Sequence, residues 1–169
     1  LLAIILVVFL LFGRIVVVSG PSMMNTLIDG DYLFVIGKPF YNTPQAGDVI
    51  VVSKDGFKSG EPIIKRVIAT EGQTVEIVNT QVYVDGKLLN EPYISSLTNP
   101  PYGSQYSCVV AKGCLFVMGD NRAVSKDSRS TEIGQVDCRE IIGKAVFLFL
   151  PGTDELTGER DFGRIGGIS

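Results

Sequence analysis

The chain of 169 residues carries a net charge of −3 with its basic residues scattered, which excludes the electrostatic footprint of a nucleic-acid partner. It contains no histidine, so neither a Ser-His-Asp triad nor a His-ligated metal site can form within it, and no cofactor is expected. A hydrophobic content of 46% fits one folded domain with an appendage rather than a disordered chain.

Residues 1–12, LLAIILVVFLLF, hold no polar side chain. A spanning helix needs roughly 20 apolar residues. We therefore read 1–12 as the C-terminal half of a truncated N-terminal transmembrane helix and 1–18 as anchor plus linker; a buried core element and a cleavable signal peptide are the alternatives, the latter disfavoured because SGPSM is a poor small-x-small cleavage site. From residue 31 the runs DYLFVI, GDVIVV, PIIKRVIA, TVEIV, QVYVDG, CLFVMGD and KAVFLFL read as strands. Turn residues separate them, among them Asp55-Gly56, Glu71-Gly72 and Asn79-Thr80, and Asp85-Gly86 closes a hairpin. No stretch after residue 20 sustains a 3.6-residue apolar period. The expected fold is all-β, a folded antiparallel sheet or partly open barrel over 19–150, followed by a Gly-rich, polar and partly mobile tail over 151–169. Residues 95–106 form the longest loop. Cys108 and Cys114 bracket VVAKG, which reads as a hairpin turn; a disulfide there fits an exported domain, with two free buried thiols as the alternative and Cys138 left unpaired.

The stretch PSMMNTL, 21–27, places Ser22 just after the apolar start. Without histidine its proton must go to another base, and lysine serves if burial lowers its pKa. Most lysines lie in or beside turns. Lys65 lies inside PIIKRVIA, sharing one strand face with Ile63 and Val67 while Arg66 takes the other. Ser22 with Lys65 is the best nucleophile–base pair available; the bland alternative is a strand lysine reaching out to solvent. The stretch MGDNRAVSKDSR, 118–129, follows an apolar strand and supplies hydroxyls that could orient an amine, or is an ordinary polar loop.

Taken together, SGPSMMNTL, GDVIVV, IIKRVIATEGQTV and FVMGDNRAVSKDSR resemble the boxes of the type I signal peptidase family, over residues 14 to 150. The resemblance implies a membrane-anchored serine endopeptidase that removes signal peptides from exported preproteins. It implies Ser22 as nucleophile, Lys65 as general base, Ser125 as a hydroxyl bonded to the lysine amine, and Asp127 and Arg129 as bracing residues. It places the Ser22 N–H at the oxyanion hole, with Gly20 where some members have a second, hydroxyl donor and Asn25 where the family has proline. Val18, Met23, Leu27, Leu33, Val51 and Ile64 become candidate walls of shallow pockets for small residues at the first and third positions before the cut. One branch of the family uses histidine instead of lysine, and a chain without histidine fits the lysine branch. The implied partners are signal peptides and the lipid membrane, with the catalytic domain on the extracytoplasmic side of a single span. The competing readings are a self-cleaving Ser-Lys regulator and an inactive membrane-anchored β module that binds partners.

Overall fold

The computed structural model describes residues 13–38, 40–53, 61–101, 103 and 105–168. The chain forms β1 (Gly13–Val17), β2 (Tyr32–Gly37), β3 (Val49–Val52), β4 (Ile63–Thr70), β5 (Thr74–Val78), β6 (Gln81–Val84), β7 (Lys87–Leu88), β8 (Gln105–Val109), β9 (Cys114–Met118), β10 (Val136–Asp137), β11 (Ile141–Leu150) and β12 (Gly166–Gly167). One sheet runs in the order β1-β2-β11-β3-β4-β9-β10, with β12 added to β11; the other runs β7-β6-β5-β8. Every pairing is antiparallel. The fold is all-β, as its sequence pattern requires.

Alternation decides which face each strand buries. In β2, Leu33 and Val35 are fully buried while their neighbours are half-exposed. In β3 all four residues are buried, because apolar groups cover both sides: Val49 and Val51 join one cluster with Val18, Met23, Leu27 and Leu33, while Ile50 and Val52 join another with Val67, Val117 and Ile141. A third cluster, including Ile68, Val75, Ile77 and Phe116, fastens the small sheet to the large one. Each such buried aliphatic or aromatic side chain contributes roughly 1.5–3 kcal/mol. β11 carries register shifts against both β2 and β3, and such bulges raise the local twist and let the large sheet curl. The β6–β7 hairpin turns as expected through Asp85 (φ 51°) and Gly86 (φ 74°), both in the left-handed region that a two-residue turn of this hand demands.

Four strands were not expected from the sequence. β1 lies inside the segment read as anchor and linker, so the sheet begins at Gly13 rather than after residue 18. β8 starts within the expected loop at Gln105, and β10 is only two residues long. The tail is not loose over its length: β12 pairs with β11, and Arg164 donates to Asp31 at 2.9 and 2.7 Å. The expected disulfide is corrected as well. Cys108 and Cys114 are free thiols, and the hairpin expected to join them does not form: β8 pairs with β5 in the small sheet, and β9 pairs with β4 and β10 in the large one. The apolar run 1–12 lies outside the described residues; among the described residues no helix is long and apolar enough to cross a membrane.

Candidate active site

Ser22 sits on a tight loop between β1 and β2. Met23 and Leu27, at 1% and 0% exposure, pin this loop into the core. Backbone bonds from Leu27 N–H and Thr26 N–H to the Met23 carbonyl (2.9 and 3.0 Å) wind it into a turn. The turn leaves Ser22 half-buried on one side. Asn25 has φ 69°, a left-handed conformation that asparagine tolerates and proline, locked near −65°, does not. The loop therefore departs from the family's box in backbone shape and not only in residue type.

Lys65 comes from the middle of β4, opposite Ile50 of β3, and is 3% exposed. Its Nζ donates to Ser22 Oγ at 2.8 Å and to the Ile64 carbonyl at 2.9 Å. Burial pulls the amine down from 10.5 to about 8, against an opposing pull from the carboxylates of Asp127 and Asp120. A lysine in this state is half neutral near pH 8, and its neutral form can accept a proton. The Ser22 N–H has no protein partner among the described residues, as an oxyanion donor must, whereas Gly20 N–H is already bonded to Asp29 Oδ1 at 2.7 Å.

The segment after β9 supports both groups. Asn121 donates from its backbone N–H to the Ser22 carbonyl (3.1 Å) and from Nδ2 to the Pro21 carbonyl (3.1 Å). Asp127 is fully buried; it accepts from Gly119 N–H at 3.1 Å and from Arg129 Nε and Nη2 at 2.8 and 2.9 Å. Gly119 permits the close approach. A Cβ there would lie 2.4 Å from the Ser22 carbonyl oxygen and 2.3 Å from Ser125 Oγ. Ser125 thus stands beside the nucleophile's backbone, but the hydrogen bond expected between its hydroxyl and the lysine amine is not formed: among the described residues Ser125 Oγ is buried without a partner. The amine spends its contacts on Ser22 and the Ile64 carbonyl instead.

A cleft of about 350 Å³ opens beside Ser22 and Lys65, between the end of β1 with Ser19 and the start of β4. Of the six expected pocket residues, Val18, Met23 and Ile64 line it. Leu27, Leu33 and Val51 are fully buried in the cluster beneath.

A charge network around the pair was not expected from the sequence. Arg66, the neighbour of Lys65, is 1% exposed and donates to Asp120 through Nε (2.8 Å) and Nη2 (2.7 Å). Its guanidinium also lies 4.0 Å from the centre of the Tyr93 ring. Asp120 in turn accepts from Thr26 Oγ1 at 2.5 Å, which ties the nucleophile loop to the strand of the base. Arg122 is buried against Glu91 and donates to Thr98 Oγ1 (2.6 Å) and the Gly119 carbonyl (3.0 Å). The only signal available beforehand was the density of charge in GDNR and the strand arginine; which pairs with which depends on register. Among the described residues no group of three or more metal-ligating side chains is gathered.

Comparison with known proteins agrees with this geometry. Residues 1–150 match the family model described as signal peptidase, peptidase S26. The chain is 41% identical over 143 residues to the probable signal peptidase I-1 of Synechocystis sp., covering 80% of this chain and 70% of that one. It is 37% identical over 145 residues to the signal peptidase I of Bacillus amyloliquefaciens, with coverages of 81% and 74%. To signal peptidase IB of Staphylococcus aureus it is 34% identical over 173 residues, covering 89% and 86%. The crystal structure of a signal peptidase I from Enterococcus faecalis V583 superposes with a TM-score of 0.51 at 29% identity, over 62% of this chain and 97% of that one.

Proposed function

The chain belongs to the S26 signal peptidase family, serine endopeptidases that remove signal peptides from preproteins, and within that activity we propose that Ser22 is the nucleophile and Lys65 its general base. The observation that carries the proposal is the 2.8 Å contact between a buried amine and the Ser22 hydroxyl at the mouth of a cleft. Neutral Lys65 takes the hydroxyl proton as Ser22 Oγ bonds to the scissile carbonyl carbon. The negative oxygen that results is met by the Ser22 N–H, a contact worth a few kcal/mol. Collapse breaks the C–N bond, and Lys65 returns the proton to the leaving amine. Water, deprotonated by the same amine, then hydrolyses the acyl-enzyme and frees Ser22.

The substrate lies extended against the edge strand β1, with small side chains at the first and third positions before the cut facing Val18, Met23 and Ile64. Asp127 with Arg129 braces the turn that carries Ser125 against the nucleophile loop. Residues 1–12 belong to a membrane anchor that holds the 13–168 domain at the outer face of the membrane, where signal peptides emerge. Purified Ser22→Ala and Lys65→Met, incubated with a preprotein in detergent, are expected to show no cleavage with an unchanged fold, and Ser125→Ala a smaller loss. Turnover by either of the first two would overturn the assignment.

A further inference from the structure

The Pro21 carbonyl and the Ser22 N–H belong to one planar peptide unit, and in a trans unit the two point in opposite directions. Whatever holds the carbonyl therefore aims the N–H. Two donors hold it: Met24 N–H at 3.1 Å and Asn121 Nδ2 at 3.1 Å. The next peptide unit is held by the same asparagine, whose backbone N–H donates to the Ser22 carbonyl at 3.1 Å. Asn121 thus grips the chain on both sides of the Ser22 Cα. It is itself fixed, because its carbonyl accepts from Ser125 N–H at 3.0 Å and from Val124 N–H at 3.3 Å. Its neighbours are buried, Asp120 against Arg66 and Arg122 on the Gly119 carbonyl (3.0 Å).

An oxyanion is stabilised best by a donor already aimed at the place where the charge develops. Gly20 N–H is spent on Asp29 Oδ1 (2.7 Å), so the aim of Ser22 N–H matters all the more. Hydrogen bonds accepted by an amide carbonyl also polarise the amide and make its N–H a better donor. We propose that Asn121 is a positioning residue for the reaction: its side-chain amide aims and polarises the peptide unit between Pro21 and Ser22, so that the Ser22 N–H meets the transition-state oxygen. Asn121 acts through this peptide and needs no contact with the substrate. The proposal rests on Ser22 as the nucleophile and on its N–H as the oxyanion donor.

The test pairs cleavage kinetics with two inhibitors of one peptide sequence, a peptide aldehyde and the corresponding peptide alcohol. Ser22 Oγ adds to the aldehyde carbon, its proton passes to Lys65, and the aldehyde oxygen takes the electron pair and the place of the oxyanion. The alcohol has no carbonyl and reports ground-state binding alone. Asn121 is half-exposed, so the fold withstands its substitution. Asn121→Ala removes the Nδ2 bond and leaves the backbone bonds in place. It is expected to lower kcat about fivefold, the fold-change that one hydrogen bond of ordinary strength supplies, with KM within about twofold of wild type. The aldehyde should weaken by the same factor and the alcohol not at all. Asn121→Asp has the same shape but presents an oxygen to the Pro21 carbonyl, and should lose at least as much when each enzyme is assayed at its own pH plateau. A wild-type kcat in Asn121→Ala, a loss confined to KM, equal weakening of aldehyde and alcohol, or wild-type activity in Asn121→Asp would overturn the proposal. Cleavage by Ser22→Ala would instead overturn its premise.

Discussion

Lys65 holds a position that nearly all lysines avoid, and the strength of the site follows from it. The strand places its stem among apolar groups, and the partner of its amine is a hydroxyl rather than a carboxylate. Asp127 and Asp120 are close enough to oppose the downward shift, yet each is already committed to an arginine, Arg129 and Arg66. Desolvation prevails, and the amine settles near 8. The same shift has a stability consequence of fixed sign. Between about 8 and 10.5 the unfolded chain holds the proton that the folded chain has released, so stability rises with pH across that window. Below it the buried charge costs about 3 kcal/mol at 1.36 kcal/mol per pKa unit. Lys65→Met keeps the apolar stem, and forfeits two hydrogen bonds of about 1 kcal/mol each. It should therefore be more stable than wild type by roughly 1–2 kcal/mol at pH 7. That advantage should vanish by pH 10.5, the ordinary lysine value. Denaturant melts at the two pH values check this; a variant less stable than wild type at pH 7 would mean that Lys65 is held charged at no cost.

At the scale of elements, the nucleophile loop is held from three directions: from its own hydrophobic anchors, from Asp120 through Thr26, and from the tail through Arg164, whose Nη2 reaches the Thr26 carbonyl at 3.3 Å. Its turn depends on Asn25 at φ 69°. Asn25→Gly should leave stability within about 1 kcal/mol, since glycine enters this region freely. Asn25→Pro, although it restores the family's residue, must rebuild the turn and should cost about 3 kcal/mol along with most of the activity. Thermal melts and cleavage rates of the two variants check this; an active, stable proline variant would show that the turn has a second accessible shape. Much of this arrangement was legible beforehand. With histidine absent, Lys65 sat in the interior of an apolar run whereas Lys144 only opened one, and alternation alone put Arg66 on the other face. The partner of Arg66 was not legible, because Asp120 lies 54 residues away and only the β4–β9 register brings them together. The contact between Lys65 and Ser125 was expected from the family's boxes and is not formed; the amine bonds Ser22 and the Ile64 carbonyl. β1 was hidden because its Ile15 and Val17 face outward on an edge, so that its run merged with the apolar segment before it.

For the whole molecule, the sequence pattern was enough to identify an all-β chain but not its division into two sheets. Local alternation is the same in both; what separates them is that β8 returns to β5 while β9 returns to β4. That division also decides the cysteines. Cys108 and Cys114 pack against the same cluster but from strands of different sheets, so no hairpin joins them. Mass spectrometry of the unreduced, denatured protein should find three alkylatable thiols; a crosslinked 108–114 peptide would contradict the free state of the pair. The tail is integral to the fold in the same way, through β12 and the Arg164–Asp31 pair.

Because strand β4, the nucleophile loop and the fields of Asp127 and Asp120 meet at a single amine, the titration of Lys65 tests the account most directly. NMR of the labelled ε-amine in the intact protein should give a midpoint near 8, and the acidic limb of kcat/KM should fall at the same pH. A midpoint at the ordinary lysine value of 10.5 would contradict Lys65 as the base.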